Sequence, residues 1–307
     1  MRTIHPASLG VSFMRALRIG LSVTALLGAA SLAHAAPPSV AVGPQYDSTH
    51  VYVAPDQVDA FVGSFVATFG GHAGKPAVVT VTPTPSTTIS EVATSPAGFV
   101  SVFGFRTPIP YPFGQERTGY LVTDMDAGVE AARRAGAEVV VAPFPDAIGR
   151  DAVIRWPGGV MMQLYWHTTA PSYAPLTSVP ENRVYVSADA ADAFVSAFEA
   201  FSGAVVVSDD PKAPGVEIGR PGETYRRIRL DSTFGRMTVL VTDGHLPLPY
   251  GLEIMGYDVA DLTDTLAKAK TAGVEILIAP YQTDGREAAM VRFPGGYIAE
   301  IHARSAR

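Results

Sequence analysis

The segment WPGGVMMQLYWHT, residues 156–168, has a counterpart in FPGGYIAEIHARS, residues 293–305. Each copy starts with an aromatic residue and Pro-Gly-Gly, and then alternates as a half-buried β-strand does. The sixth residue after the proline is Gln163 in the first copy and Glu300 in the second. The pair predicts a duplicated chain whose two closing strands differ by one acid.

The duplication extends over most of the sequence. HVYVAPDQVDAFVGSFVA (residues 50–67) matches RVYVSADAADAFVSAFEA (183–200), and GYLVTDMDAGVEAARRAGAEVVVAP (119–143) matches GYDVADLTDTLAKAKTAGVEILIAP (256–280). Self-similarity in a constant order is the signature of repeated structural units. We therefore predict two domains, at residues 48–168 and 182–304, with residues 169–181 as a linker rich in Pro, Ser and Thr.

A smaller unit occurs twice inside each domain. A short strand is followed by an acid suited to a helix N-cap or first turn, and then by a helix with apolar residues three and four apart. These acids are Asp56, Asp124, Asp189 and Asp261, and the glycines that close the helices are Gly70, Gly136, Gly203 and Gly273. Strand-like runs come next, so we predict an α+β fold of four βαβββ units.

Residues 1–35 have the order of a secretory signal peptide. Arg2, Arg15 and Arg18 precede or flank an apolar run that ends in Ala-His-Ala at residues 33–35. We expect cleavage after Ala35, with residues 36–47 as an N-terminal linker and a periplasmic or secreted mature chain; an uncleaved membrane anchor is the alternative.

The charge and the cysteine count narrow the class of partner. Loss of three arginines with the signal peptide takes the formal net charge from −6 to −9. An acidic chain disfavours nucleic acid and anionic membranes as partners. There is no cysteine, which excludes disulfides, thiolate catalysis and cysteine-ligated metals. We expect a small-molecule ligand or substrate and a monomer or homodimer.

The four units resemble the vicinal oxygen chelate superfamily, the group of glyoxalases, bleomycin-resistance proteins and extradiol dioxygenases. The resemblance rests on V-x-D-[LM] before a helix, A-G-[AV]-E after it and P-G-G before the last strand, over residues 48–167 and 181–303. It implies that paired units form a cup with curved, mixed sheets. In catalytic members a divalent metal at the bottom of the cup binds neighbouring substrate oxygens, so the resemblance implies Zn, Mn, Fe or Ni as cofactor.

The resemblance also places metal ligands at the starts of the first and fifth strands of a domain and at the end of the eighth. In the first domain these positions hold His50, Arg117 and Gln163, and in the second they hold Arg183, Ile254 and Glu300. Neither domain alone has three ligands, because an arginine cannot bind a cation.

Pairing of the first unit with the fourth would place His50 and Glu300 in one cup. Both would then bind metal, with Glu300 also catalytic and His302 in reserve. Glu253 would join them only if a bulge turned it inwards, since strand alternation points it outwards.

The opposite cup would then contain Arg117, Arg183 and Gln163 as groups that bind a carboxylate or phosphate. Pairing within each domain instead puts His50 opposite Gln163, and Glu300 opposite Arg183 in an ion pair that excludes metal. Structural roles are the alternative for each of these residues: a surface histidine, ion-paired acids and solvated arginines.

Two functions follow from these alternatives. One is a metal-dependent lyase or dioxygenase acting on a small oxygenated molecule, and the other is a non-catalytic binding protein of the bleomycin-resistance type. Tyr111 and Tyr250, in Pro-Tyr pairs between the halves of each domain, are expected at the rim of a cup, where they would close over a ligand. An assembly role for the duplication is a third alternative.

Overall fold

Two mixed β-sheets, one from each half of the chain, form the framework of the protein in a computed structural model that describes residues 40–41, 44–247 and 253–304. Each sheet contains two βαβββ units, which confirms the predicted α+β fold. No helix among the described residues is long and apolar enough to cross a membrane.

The first sheet has nine strands and carries two helices. Its strands are β1 (Thr49–Tyr52), β2 (His72–Ala73), β3 (Ala77–Val79), β4 (Thr88–Thr94), β5 (Phe99–Phe105), β6 (Arg117–Leu121), β7 (Glu138–Pro145), β8 (Gly149–Arg155) and β9 (Met161–His167). The helices are α1 (Val58–Phe69), after a 3-10 turn at Pro55–Gln57, and α2 (Met125–Arg134). The strand order is β2-β4-β5-β1-β6-β9-β8-β7, with β3 also paired to β4.

The second sheet repeats this arrangement with eight strands. They are β10 (Val179–Ser187), β11 (Val205–Pro214), β12 (Thr224–Ser232), β13 (Gly235–Thr242), β14 (Glu253–Asp258), β15 (Glu275–Thr283), β16 (Arg286–Arg292) and β17 (Ile298–Arg304). The helices are α3 (Ala188–Ser202) and α4 (Leu262–Thr271), and a 3-10 turn lies at Gly215–Ile218. The strand order is β11-β12-β13-β10-β14-β17-β16-β15.

The two units of each domain pair with each other. Strand β1 runs antiparallel to β6, with His50 opposite Arg117, and β10 runs antiparallel to β14, with Arg183 opposite Ile254. The alternative in which the first unit shares a cup with the fourth is therefore wrong: His50 and Glu300 lie in different sheets. The reason is that the inner edge strands of each domain satisfy each other's backbone hydrogen bonds.

The first and fourth units do meet, but through the outer faces of their sheets. Phe61 and Phe65 of α1 lie against rings of the second domain, with centroid distances of 5.7 Å from Phe61 to Tyr297 and 5.6 Å from Phe65 to Tyr257. The second and third units repeat the contact: the ring of Trp156 is 5.2 Å from that of Phe201 in α3. These rings belong to one buried core that spans both domains.

The Pro-Gly-Gly segments are tight turns before the closing strands. In the first copy the amide of Gly159 donates to the carbonyl of Trp156 at 3.0 Å. Both Gly158 and Gly159 have positive φ, 86° and 87°, a conformation that residues with a Cβ rarely adopt. The second copy has the same turn, and there a Cβ on Gly295 would lie 2.5 Å from a methyl of Val53 in the other domain. The turns therefore also allow the domains to approach closely.

The predicted helix caps are present in both second units. Asp124 accepts a hydrogen bond from the amide of Ala127 at 2.8 Å, and Asp261 accepts one from the amide of Asp264 at 2.8 Å. Gly70 and Gly203 are C-cap residues, with φ of 77° and 69°. The caps explain why the strand-acid-helix pattern could be recognised in the sequence.

Candidate functional site

The cup of the second domain is filled by its own charged side chains. Arg183 and Glu300 are both fully buried, and a guanidinium nitrogen of Arg183 is 2.9 Å from a carboxylate oxygen of Glu300. The other amino group of Arg183 is 2.9 Å from Glu181, and Arg286 donates to Glu181 at 2.7 Å. This is the ion pair that the within-domain alternative predicts.

The network is balanced in charge. Its most buried members are three arginines and three glutamates, at no more than 8% exposure: Arg183, Arg227, Arg286, Glu181, Glu217 and Glu300. Burial alone would raise the pKa of Glu300, but the charges of Arg183 and Arg286 outweigh it and lower the pKa to about 2. Glu300 is therefore ionised at neutral pH, and Tyr281 and His302 also contact its carboxylate, at 2.9 and 3.1 Å.

The equivalent cup of the first domain is open. A cavity of about 330 Å³ lies inside it, lined by residues of β1, β3, β4, β5, β8 and β9 and of adjoining loops. Its polar groups include Asp47, His50, Asp146, Asp151, Gln163 and His167. Six aromatic rings complete the wall: Tyr46, Tyr52, Phe103, Phe113, Tyr165 and Tyr173. The size and the mixed wall are those of a small-molecule pocket.

The side chains of one strand explain why the two cups differ. Ser90 and Val92 of β4 line the first cavity, and the register of the sheets places Arg227 and Arg229 of β12 at the same positions in the second domain. Two small side chains in one copy thus correspond to two long cations in the other. The guanidinium of Arg227 contacts Glu217 and Asp284. The side chain of Arg227 thus occupies the position that Ser90 leaves open in the first cup.

His50 is held by an aspartate at the floor of the cavity. Its Nε2 is 2.7 Å from the carboxylate of Asp47, and Asp47 also accepts a hydrogen bond from the hydroxyl of Ser101 at 2.9 Å. The ring of His50 stands edge-on to Phe103, with 5.2 Å between centroids. His50 is thus a buried cavity residue, at 6% exposure, rather than a surface histidine.

Asp151 and Gln163 form a second polar pair in the same cavity. Burial and, to a smaller extent, the nearby charge of Asp146 raise the pKa of Asp151 to about 8, against the opposing effect of a hydrogen bond from Gln163. Gln163 is only 4% exposed, and its side-chain oxygen has no hydrogen-bond partner. A protonated carboxyl and an unsatisfied acceptor therefore lie side by side.

Arg117 decides whether this cup fits a metal. It is fully buried, it lies directly opposite His50, and its guanidinium donates to the hydroxyl of Tyr52 and the carbonyl of Pro112. Its central carbon is 5.1 Å from the ring centre of Phe113. A guanidinium has no lone pair to donate to a metal, so one of the three ligand positions is lost. The described residues also contain no group of three or more His, Asp or Glu arranged to hold a metal, so the residues present do not fit one.

Glu253 points away from both cups, as strand alternation requires. Its carboxylate lies in the interface between the domains, where it accepts hydrogen bonds from the amide and hydroxyl of Thr118 and from Asn182. Burial raises its pKa to about 8. No bulge turns it towards His50 or Glu300, so the expected third metal ligand is a structural group between the domains.

The remaining predicted residues lie in different places. Tyr111 is 71% exposed and does not line the cavity, so it is a surface residue rather than a lid in this structure. Tyr250 lies outside the described residues. His302 is buried in the second cup, where its Nδ1 is 3.1 Å from Glu300.

Sequence reasoning missed Asp47, Asp146 and Asp151. Asp47 comes three residues before His50, and Asp151 comes two residues after Gly149. The signal that would have found Asp151 is its place in β8, directly opposite Tyr165 of the closing strand. The family's ligand positions drew attention to β1, β6 and β9 instead.

Comparison with solved structures defines the class of the protein. The chain adopts the vicinal oxygen chelate fold in two tandem glyoxalase-like domains. No family model and no curated protein matches the sequence.

The similar structures come from several enzymes. A triple mutant of 4-hydroxymandelate synthase from Streptomyces coelicolor superposes with a TM-score of 0.60 at 17% identity, over 86% of this chain and 94% of that one. The Mn(II)-bound glyoxalase from Novosphingobium aromaticivorans gives 0.51 at 15%, over 86% and 83%. A 2,2',3-trihydroxybiphenyl 1,2-dioxygenase from Sphingomonas wittichii gives 0.52 at 14%, over 86% and 91%. At these identities the likeness establishes the fold.

Replacing Arg183 tests the charge balance of the second cup. The Arg183→Met variant leaves buried carboxylates without their main counter-charge, so we expect its free energy of unfolding to fall by about 3–5 kcal/mol. Urea unfolding at pH 7 measures the change. The matched control is Arg155→Met, which breaks an exposed pair with Glu138 and is expected to cost less than about 1 kcal/mol. Equal losses in the two variants would contradict a compensated buried network.

The pKa of Asp151 predicts a pH-dependent stability. The folded state keeps the proton up to about pH 8, whereas the unfolded state loses it near the ordinary value of 3.8, so Asp151 makes the folded state less stable as the pH rises between these values. Relative to wild type, Asp151→Asn should gain on the order of a few kcal/mol in unfolding free energy between pH 4 and pH 9. Urea unfolding across this range tests it, with the exposed Asp59→Asn as control. Parallel pH profiles for wild type and Asp151→Asn would refute the raised pKa.

Proposed function

We propose that the protein binds a small organic molecule in the cavity of its first domain without a metal ion. The observation that carries the proposal is the contrast between two cups of one fold: the second contains buried ion pairs, and the cavity of about 370 Å³ beside them has a mostly charged lining, while the first has a largely aromatic cavity of about 330 Å³. An empty, largely apolar cavity with a few polar groups at one side is the usual form of a ligand site.

The wall of the cavity supports a flat, partly apolar ligand. Its six aromatic rings offer a large contact area, and Asp47, Asp151, His50 and Gln163 are the polar groups that would orient the ligand. The second domain acts as a support in this proposal, because Phe198 and Phe201 of its helix α3 pack against Trp156 of the first domain. The protein thus corresponds to the non-catalytic alternative, a binding or sequestering protein.

The metal-dependent alternative has one observation in its favour, the likeness in fold to a Mn(II)-bound glyoxalase and to a dioxygenase. The chemistry of those proteins needs open coordination positions on a metal held by three side chains. Arg117 stands at one of these positions here. We therefore favour binding over a lyase or dioxygenase reaction.

Ligand-observed NMR in EDTA tests the proposal. Small aromatic probes (phenol, catechol, benzyl alcohol and benzylamine) are mixed with the mature protein, and at least one should receive magnetisation from it. Val92→Trp fills the cavity and should abolish the signal. The matched control is Val78→Trp, because Val78 of β3 is 57% exposed and does not line the cavity. This variant should retain the binding signal.

Two results would overturn the proposal. One is that no probe binds in EDTA, or that Val92→Trp binds as wild type does. The other is that Zn, Mn, Fe(II) or Ni binds tightly in a calorimetric titration and that His50→Ala abolishes this binding, which would restore the enzymatic alternative.

We also propose that the protein is exported and acts in the periplasm or outside the cell. The support is the pattern of residues 1–35, which lie outside the described part of the structure. Expression in a bacterial host followed by N-terminal sequencing of the exported protein should return a chain that begins at or near Ala36. A chain that begins at Met1 or Met14 would show that the signal is not removed.

A further inference from the structure

The polar groups of the first-domain cavity are unusually one-sided in charge. Three acids line it, Asp47, Asp146 and the protonated Asp151, and no Lys or Arg side chain lines it among the described residues. Asp47 has His50 as a partner at 2.7 Å, and Asp146 accepts the backbone amide of Ile148 at 2.9 Å within a turn. Asp151 is hydrogen-bonded to the neutral amide of Gln163, and Arg117, whose charge also acts on it, lies against the rings of Tyr52 and Phe113 outside the lining.

The second cup shows how the same framework satisfies acids at this position. There, Glu181, Glu217 and Glu300 are neutralised by guanidinium groups. Two arginines come from β12: Arg227 pairs with Glu217 and Asp284, and Arg229 pairs with Asp284. The first domain has Ser90 and Val92 at the two β12 positions. The cavity therefore coincides with the place where the other copy carries cationic side chains.

An unpartnered acceptor points to the same kind of ligand. The side-chain oxygen of Gln163 is buried in the cavity wall without a hydrogen-bond donor, and a buried acceptor of this kind costs free energy until a donor reaches it. A ligand that carries N–H donors next to a positive charge satisfies Gln163 and Asp151 together. The rings of the wall that do not already face Arg117, those of Tyr46, Phe103, Tyr165 and Tyr173, add favourable cation–π contacts.

From these three observations, and resting on the ligand-binding function proposed above, we propose that the ligand is an organic cation: a protonated primary or secondary amine attached to an aromatic or short aliphatic body. Its ammonium group lies between Asp151 and the side-chain oxygen of Gln163, and its body lies against the rings. The positive charge stabilises the carboxylate form of Asp151, which releases its proton to solvent when the ligand binds. An organic anion is disfavoured, because it would meet three acids and no lining cation.

Three probes of similar size and different charge test the class of ligand. Benzylamine, benzyl alcohol and benzoate are titrated into the mature wild-type protein at pH 7, and dissociation constants are measured by NMR or calorimetry. We expect benzylamine to bind at least about tenfold more tightly than benzyl alcohol, and benzoate to bind most weakly. This comparison does not depend on any variant.

Replacing the acid tests the position of the charge. Asp151→Asn keeps the shape of the side chain and should weaken benzylamine by about tenfold while changing benzyl alcohol less than about twofold. Asp59→Asn removes the same charge from an exposed site on α1 and should change neither. Thermal unfolding confirms that both variants are folded.

The outcomes separate the two proposals. If benzyl alcohol or benzoate binds as tightly as benzylamine, or if Asp151→Asn binds benzylamine as wild type does, the cavity is a ligand site but the cation is wrong. If none of the three probes binds, the inference fails, and the ligand-binding function fails with it when phenol and catechol do not bind either.

Discussion

The antiparallel pairing of β1 with β6, and of β10 with β14, determines which side chains share a cup. It brings His50 opposite Arg117 in one domain, and it places Arg183 where it reaches Glu300 in the other. A single change of partner strand would have joined His50 to Glu300 instead. Backbone groups at a sheet edge inside a protein must be paired. The choice of partner strand therefore determines which side chains line each of the two cups.

The two cups then meet the cost of buried charge in opposite ways. The second compensates each carboxylate with a guanidinium, and the cavity of about 370 Å³ beside these ion pairs is bordered by charged side chains such as Arg229, Asp284 and Arg286. The first replaces two of the arginine positions by Ser90 and Val92, and its acids face a cavity. The two domains share one backbone plan, so this difference arises from side chains on one strand rather than from a change of fold.

Much of the architecture could be predicted from the sequence. The repeats, the helix caps at Asp124 and Asp261 and the turns at Gly158 and Gly295 are local patterns, and local patterns are visible in a single chain. The partner of each unit could not be predicted, because it depends on contacts between residues far apart in the sequence.

The composition of the cup was hidden for a related reason. The arginines of β12 have no similarity in sequence to the β4 residues that they replace, so only the strand register shows that they are equivalent. Asp151 was missed because its neighbours in space, Gln163 and Asp146, come from another strand and a loop. Ligand positions carried over from a family therefore located the cup correctly but not the groups that give it its chemistry.

The aromatic contacts between the two domains have a consequence for how the duplication is retained in evolution. Phe61 and Phe65 of the first copy complete the core of the second, and Phe201 of the second covers Trp156 of the first. Either half on its own would expose a layer of rings to water and would tend to aggregate. Once the two domains depend on each other in this way, deletion of the second domain destabilises the first. The second domain is therefore retained because it covers apolar surface of the first.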